Sequence, residues 1–313
     1  MYMPVLQKKA GELRALNYID ENFDELLPLV IINSATEKEI NSIIKKYNGN
    51  LLIDTRKLDS SEISELQGIL SSNSKYSNIQ ICYPISVLLN DDIIYNDIQY
   101  VIINKSDFSK SSFTIKLKSI LNKIPNNIIL DVGFINSKYK SKEPIVENIL
   151  NNLVNTSRSI YIISGSVPPN LHKKIYEDFV QYRYELDFFN DIKIEYKNSN
   201  FNLIYGDYTI CPCEPNDFKE KHITPVVQLK YTTHDKYIFS RNGFRRGKYN
   251  FSEACNKIVC LPEFNKDHCW ADKYIYDLVK SSDDNRGNPT IWVSLGIHHH
   301  IITCMLEQNK KIS

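Results

Sequence analysis

Short apolar runs that end on polar residues alternate with amphipathic segments through the first two thirds of this chain. Eight such runs occur, at 2–7, 26–33, 50–56, 79–85, 100–105, 127–133, 158–166 and 202–208. Several, such as Leu-Leu-Pro-Leu-Val-Ile-Ile-Asn at 26–33, are apolar at nearly every position. Continuous runs suit strands covered on both faces, as parallel strands are. The intervening segments read as helices. Leu13 and Leu16 set helical spacing over 10–18, Thr36 with Glu39 forms a capping box for a helix through Tyr47, and Ser-Ser-Glu marks another near Ser60. Further helices are predicted over 113–121, 144–154 and 170–184, with a weak, short connection around 91–97. Alternation of this kind implies a parallel α/β sheet with right-handed crossovers. Eight units favour a closed (β/α)8 TIM-like barrel over an open doubly wound sheet.

After Tyr208 the pattern changes. Residues 226–232 and 236–241, separated by His234-Asp235, read as a β-hairpin. Helical stretches over 251–259 and 267–279 follow, and 291–305 (IWVSLGIHHHIITCM) reads as a strand. The expected organisation is a barrel over 1–208 with a C-terminal hairpin and helix cap over 209–313, packed on the barrel as one structural unit. A length of 313 residues suits one barrel with an appendage.

Composition narrows the setting. Hydrophobic residues at 42% and charged residues at 24% give a soluble chain with a full core. The net charge of +1 excludes a basic field over the whole surface, so any nucleic-acid contact must be local. The seven cysteines form no CxxC pair; Cys211-Pro212-Cys213 has a single spacer. Reduced thiols in a cytoplasmic protein are the expected state. The amino terminus does not read as a signal peptide, and no apolar run approaches the ~18 residues of a membrane span.

A barrel gathers its chemistry at the carboxyl ends of its strands. Asp54 and Arg56 stand two apart there, on one face, and could hold an anionic or carbonyl substrate while Asp54 acts as a base. An internal ion pair is the plain alternative. In Gly206-Asp207-Tyr208, Gly permits close backbone approach, Asp207 is a candidate general base or cation ligand, and Tyr208 a stacking wall or proton donor. Lys105 and Asp131 end neighbouring strands, suiting a phosphate contact or a salt bridge. Ser164-Gly165-Ser166 could turn backbone N–H groups to a phosphate, although it is too short for a P-loop.

The segment 236–249 (KYIFSRNGFRRGKY) interleaves Lys236, Arg241, Arg245, Arg246 and Lys248 with aromatics, and Lys230 and Tyr231 extend it. Basic groups neutralise phosphates and aromatic faces stack bases, so a nucleotide or nucleic acid is a candidate partner here. The alternative is a solvated hairpin tip whose aromatics pack inward. His298-His299-His300 lacks the spacing of a zinc site, and no residue is assigned as a metal ligand. Trp270 reads as a core anchor. No cofactor is specified; a divalent cation on Asp207 and Asp54 is one option.

Several of these segments also share an order along the chain. The opening Tyr2-Met3-Pro4-Val5-Leu6, then Gly11-Glu12 and Ala15-Leu16, Gly206-Asp207-Tyr208, Lys230-Tyr231-Thr232-Thr233-x-Asp235, Trp270-x-Asp272-x-Tyr274-Ile275, Trp292 and His299-His300 together resemble the bacteriophage beta protein family and its bacterial relatives. Two departures stand out. The family often carries an acidic residue in the second strand, where this chain reads Pro28-Leu29-Val30-Ile31-Ile32, and its closing Asn-His-His has His298 in place of Asn. The resemblance implies a barrel-like fold and a phage or mobile-element setting, without a reaction.

Two functions fit these residues. One is a barrel enzyme in phage–host conflict that acts on a phosphorylated ligand, a nucleotide or nucleic acid, hydrolysing a phosphodiester or N-glycosidic bond. Asp54, Asp207 and Tyr208 would be catalytic, and Arg56, Lys105, Lys230, Tyr231, Arg241, Arg245 and Arg246 would bind substrate, with Asp131, Ser164, Ser166, Trp270, His299 and His300 in support. The other is a non-catalytic module that binds a nucleic acid or a protein from the same operon through the basic hairpin.

Overall fold

Parallel strands buried on both faces need every edge covered, and eight of them remove their edges by closing into a ring. A computed structural model of the protein describes residues 1–19, 25–89, 98–108, 112–169, 177–214, 226–244, 251–281 and 288–310. In chain order its strands are β1 (Tyr2–Gln7), β2 (Leu29–Ile31), β3 (Leu51–Asp54), β4 (Ile79–Pro84), β5 (Tyr100–Asn104), β6 (Asn127–Phe134), β7 (Ser159–Gly165), β8 (Phe179–Tyr182), β9 (Asn202–Asp207), β10 (Val226–Thr232) and β11 (Lys236–Phe244). Strands β1 to β7 and β9 form the closed barrel, each paired in parallel with its neighbours, and β9 returns to β1. The expected (β/α)8 architecture is therefore present.

The helices are α1 (Ala10–Leu16), α2 (Glu37–Ile44), α3 (Ser60–Ser71), α4 (Ser86–Leu89), α5 (Lys105–Phe108), α6 (Phe113–Ser119), α7 (Glu143–Leu150), α8 (Tyr184–Glu195), α9 (Phe251–Val259), α10 (Trp270–Lys280) and α11 (Pro289–Lys310). Local chemistry sets their starts. Asp59 and Glu62 exchange both bonds of a capping box at α3. At α2 only half of the expected box forms. Thr36 accepts from the Glu39 N–H, but the Glu39 carboxylate turns instead to Ser34, the Asn33 N–H and Lys8.

The chain divides into two compact units. The first comprises Met1–Lys8, Asp24–Gly165 and Tyr184–Tyr208, and holds the barrel. The second comprises Lys9–Phe23, Ser166–Arg183 and Thr209–Ser313. In the second unit, β10, β11 and β8 make an antiparallel sheet in the order β10-β11-β8. Its core joins Leu229 and Tyr231 to Phe251, Ile258, Ile275 and Trp292.

Two sequence expectations are corrected. The helix expected over 170–184 is not one: Phe179–Tyr182 is strand β8, with a burial pattern that alternates at period two, while 170–176 lies outside the described residues. The strand expected over 291–305 is part of the 22-residue helix α11. Residues 294 to 302 of that helix are all buried, so no polar stripe betrays the 3.6-residue period. The connection expected around 91–97 lies outside the described residues.

Candidate functional site

Register decides which strand-end residues meet. Ile31, Asp54 and Cys82 stand side by side on β2, β3 and β4, and Asn104, Asp131, Ile163 and Gly206 do so on β5, β6, β7 and β9. Side chains of directly paired residues share a face. Arg56, just beyond β3, binds Asp54 and Asp131 together. Two strands separate β3 from β6 around the ring, so the contact crosses the barrel interior at its carboxyl end.

The geometry is tight. Arg56 Nε donates to Asp54 Oδ2 at 2.7 Å, its Nη2 lies 2.6 Å from the same oxygen, and its backbone N–H donates to Asp54 Oδ1 at 2.9 Å. Nη1 donates to Asp131 Oδ2 at 2.5 Å and approaches the Tyr208 hydroxyl at 3.4 Å. Tyr208 in turn donates to Asp131 Oδ2. Burial works against the Arg56 charge, but Asp54, then Asp131 and Tyr208, outweigh it and hold the guanidinium charged beyond its ordinary range. Nη2 is close to Asp54 and buried, without a well-aligned hydrogen bond among the described residues. The Arg56 side chain is 18% exposed, whereas Asp54, Asp131, Tyr208 and the Nη2 atom are buried.

A bulge in β6 prepares Asp131. The pairing steps from Asp131↔Ile163 to Gly133↔Ser164, and Gly133 takes a φ of 71°. Its N–H turns back to Asp131 Oδ1 at 3.0 Å. Only glycine takes that backbone conformation without strain. Lys105, exposed at the start of α5, runs its stem past the same point: its Cδ lies 3.7 Å from where a Cβ of residue 133 would stand. The structure thus brings together Asp54, Arg56, Asp131 and Tyr208, with Lys105 beside them.

Asp207 is placed differently. Strand alternation sends Gly206 and Tyr208 inward and Asp207 to the helix-facing side. There it accepts from the Tyr2 hydroxyl at 2.6 Å and from Tyr205 at 2.7 Å, fully buried. Ser164 pairs with Asp207 and shares that face. A cavity of about 200 Å³ lined by Asn50, Asn78, Gln80 and Tyr100 lies at the amino ends of the strands, away from the charged group.

The remaining candidates lie in the second unit. Ser166 donates to the Tyr182 carbonyl at 2.9 Å. Lys230 Nζ donates to the Ile210 carbonyl at 2.8 Å, and burial holds its pKa below the ordinary lysine value. Arg241 is buried; its Nε donates to Gln228 at 3.3 Å and its guanidinium lies over the Phe239 ring. Tyr237 and Phe239 are buried in the unit itself, so neither offers a face to a base. Arg245 and Arg246 lie outside the described residues. Trp270 stacks on Tyr18 with ring centroids 3.6 Å apart. His300 Nδ1 pairs with Thr232 Oγ1 at 2.9 Å. His299 and Tyr231 meet on Asp272: His299 Nδ1 is 2.8 Å from Oδ2, and the Tyr231 hydroxyl donates to Oδ1 at 2.9 Å.

Sequence reasoning overlooked Asp272, Cys269 and His268 as partners of His299. A signal was present: His268, Cys269 and Asp272 lie within five residues of one another where α10 begins.

Among the described residues no helix is long and apolar enough to cross a membrane, and all seven cysteines are free thiols. A model of the family described as Beta protein matches residues 2–305. No curated protein and no solved structure matches the chain.

Proposed function

We propose, for a chain that belongs to the Beta protein family over nearly its whole length, a barrel hydrolase that cleaves the N-glycosidic bond of a phosphorylated ligand, a nucleotide or a nucleic-acid strand, in phage–host conflict. The observation that carries this reading is the Asp54–Arg56–Asp131–Tyr208 group at the carboxyl end of the barrel. Active sites of this architecture collect there.

Charge separates the two hydrolytic chemistries open to such a ligand. Two carboxylates against one guanidinium leave the group net negative. A phosphoryl transition state spreads negative charge over its oxygens and gains nothing from that field. Departure of a base from a sugar leaves an oxocarbenium-like centre, which carboxylates stabilise. In the proposed reaction Asp54 faces that developing positive charge. Asp131, with Tyr208 bonded to it, orients a water and takes its proton. The C–N bond breaks with its electron pair leaving on the base, and hydroxide adds to the sugar carbon. Arg56 holds both carboxylates in place. Lys105 neutralises the phosphate. The sequence resemblance to the bacteriophage beta protein family supports the phage setting, and the free thiols support a cytoplasmic one.

Release of free base from purine and pyrimidine nucleoside monophosphates, single-stranded DNA and single-stranded RNA tests the proposal. Asp131→Asn and Tyr208→Phe should each lower the rate by ~100-fold or more with the fold retained, the scale of a lost proton-transfer group. Absence of base release from every substrate, or full rates in both folded variants, refutes it. Loss of biological activity in Arg245→Glu/Arg246→Glu together with silent Asp131→Asn would favour a binding module instead.

A further inference from the structure

In the second unit, His268, Asp272 and His299 each direct a donor atom into one spot, all within 4.8 Å of one another. We propose that these three side chains, joined by Cys269, form a binding site for a transition-metal dication of the zinc class. The site is independent of the barrel chemistry proposed above.

The donors come from two helices. Asp272 and Cys269 stand at the start of α10, His268 just precedes it, and His299 lies in the middle of α11. Asp272 Oδ2 is the hub: Cys269 Sγ lies 2.9 Å from it and His299 Nδ1 2.8 Å. Two imidazoles, one carboxylate and one thiol make a mixed nitrogen, oxygen and sulfur set. Such a set suits zinc and its neighbours, whereas magnesium and calcium take oxygen ligands.

Contacts around the cluster match those that surround a bound metal ion. Metal-bound imidazoles are held by a bond from the other ring nitrogen, often to a backbone carbonyl, and metal-bound carboxylates are hydrogen-bonded in turn. His299 Nε2 lies 2.8 Å from the Thr232 carbonyl. That contact fixes the ring and turns Nδ1 toward Asp272 and the shared spot. The other Asp272 oxygen accepts from Tyr231, whose ring stacks on His299 with centroids 3.9 Å apart. His268 Nε2 is bonded to Thr303 Oγ1 at 3.1 Å. His268 and Cys269 are half-buried while Asp272 and His299 are buried, so the cluster has an open side through which an ion can enter.

The test is titration of the full chain, dialysed against a chelator, with zinc followed by calorimetry, and with cobalt followed by absorption. One zinc per chain is expected at micromolar affinity or tighter. Cobalt should give a thiolate charge-transfer band that disappears in Cys269→Ser. His268→Gln, whose side chain is half-exposed and whose loss the fold should tolerate, should weaken zinc binding by at least ~10-fold. Tyr231→Phe, which removes an outer contact, should weaken it ~10- to 100-fold. The proposal is overturned if the folded chain binds no zinc at micromolar concentration, or if His268→Gln and Cys269→Ser bind it as tightly as the unaltered chain.

Discussion

Lowering the pH from 6.5 to 4 should destabilise this protein through His298, a residue that stands where the family's closing motif usually has Asn. The side chain is buried, its Nε2 donates to the Tyr18 carbonyl at 3.1 Å, and its Nδ1 is buried with no hydrogen-bond partner among the described residues. Protonation at Nδ1 would place a charge where no described residue accepts it. Burial accordingly pushes the His298 pKa down from 6.5 to about 4, against the opposing pull of the Tyr18 carbonyl. The folded value is lowered, so between those two limits the unfolded chain holds more protons than the folded one. Stability is then full above pH 6.5 and falls as pH drops through the window. A gap of two to three pH units at ~1.4 kcal/mol each gives a loss of about 3 kcal/mol. The assay is urea denaturation from pH 7.5 to 4, followed by tryptophan fluorescence, for the wild type and His298→Asn. Trp270 lies edge-on to His298 at 5.2 Å and reports the site. Asn does not titrate, so the difference between the two proteins isolates His298. That difference should be flat above pH 6.5 and move against the wild type by about 3 kcal/mol at pH 4. A difference that stays constant across the range refutes the reasoning.

Three further outcomes follow from the barrel. Gly133→Ala meets only an ordinary contact with Lys105 Cδ at 3.7 Å but must adopt a φ of 71°, so it should cost ~1–2 kcal/mol in chemical denaturation and weaken whatever function Asp131 serves. Gly206→Ala drives a Cβ to 2.8 Å from the Met3 carbonyl and 2.9 Å from Ile163 Cγ1, and should lower stability by ~1–3 kcal/mol, read as a lower midpoint. Asp207→Asn removes the carboxylate shared by Tyr2 and Tyr205, and thermal unfolding should register a loss of ~1.5–3 kcal/mol.

Much of the barrel was legible because its strands obey one simple rule: a strand buried on both faces must be apolar throughout. Several of the eight runs read that way, and their polar ends marked the rim. Facing was harder. Gly206-Asp207-Tyr208 announces by alternation that Asp207 and Tyr208 point apart, but the local sequence does not say which points inward. Arg56, long enough to span the interior, tied Asp54 to Asp131, a link invisible without the ring closure. Helix α11 was misread because burial on every side erases periodicity; its length was the better guide, since a run of fifteen residues exceeds an ordinary strand. The hairpin at 226–241 was visible from its turn, yet its aromatics and Arg241 serve the unit's own packing, which composition alone does not distinguish from a nucleic-acid face.

A crystal structure of the full chain with a bound nucleoside monophosphate tests the central claim most directly. The account expects the sugar to lie against Asp54 and Asp131 beside Arg56, with the phosphate toward Lys105. A nucleotide bound elsewhere, or an Asp54–Arg56–Asp131–Tyr208 group sealed from solvent with the ligand excluded, would contradict it.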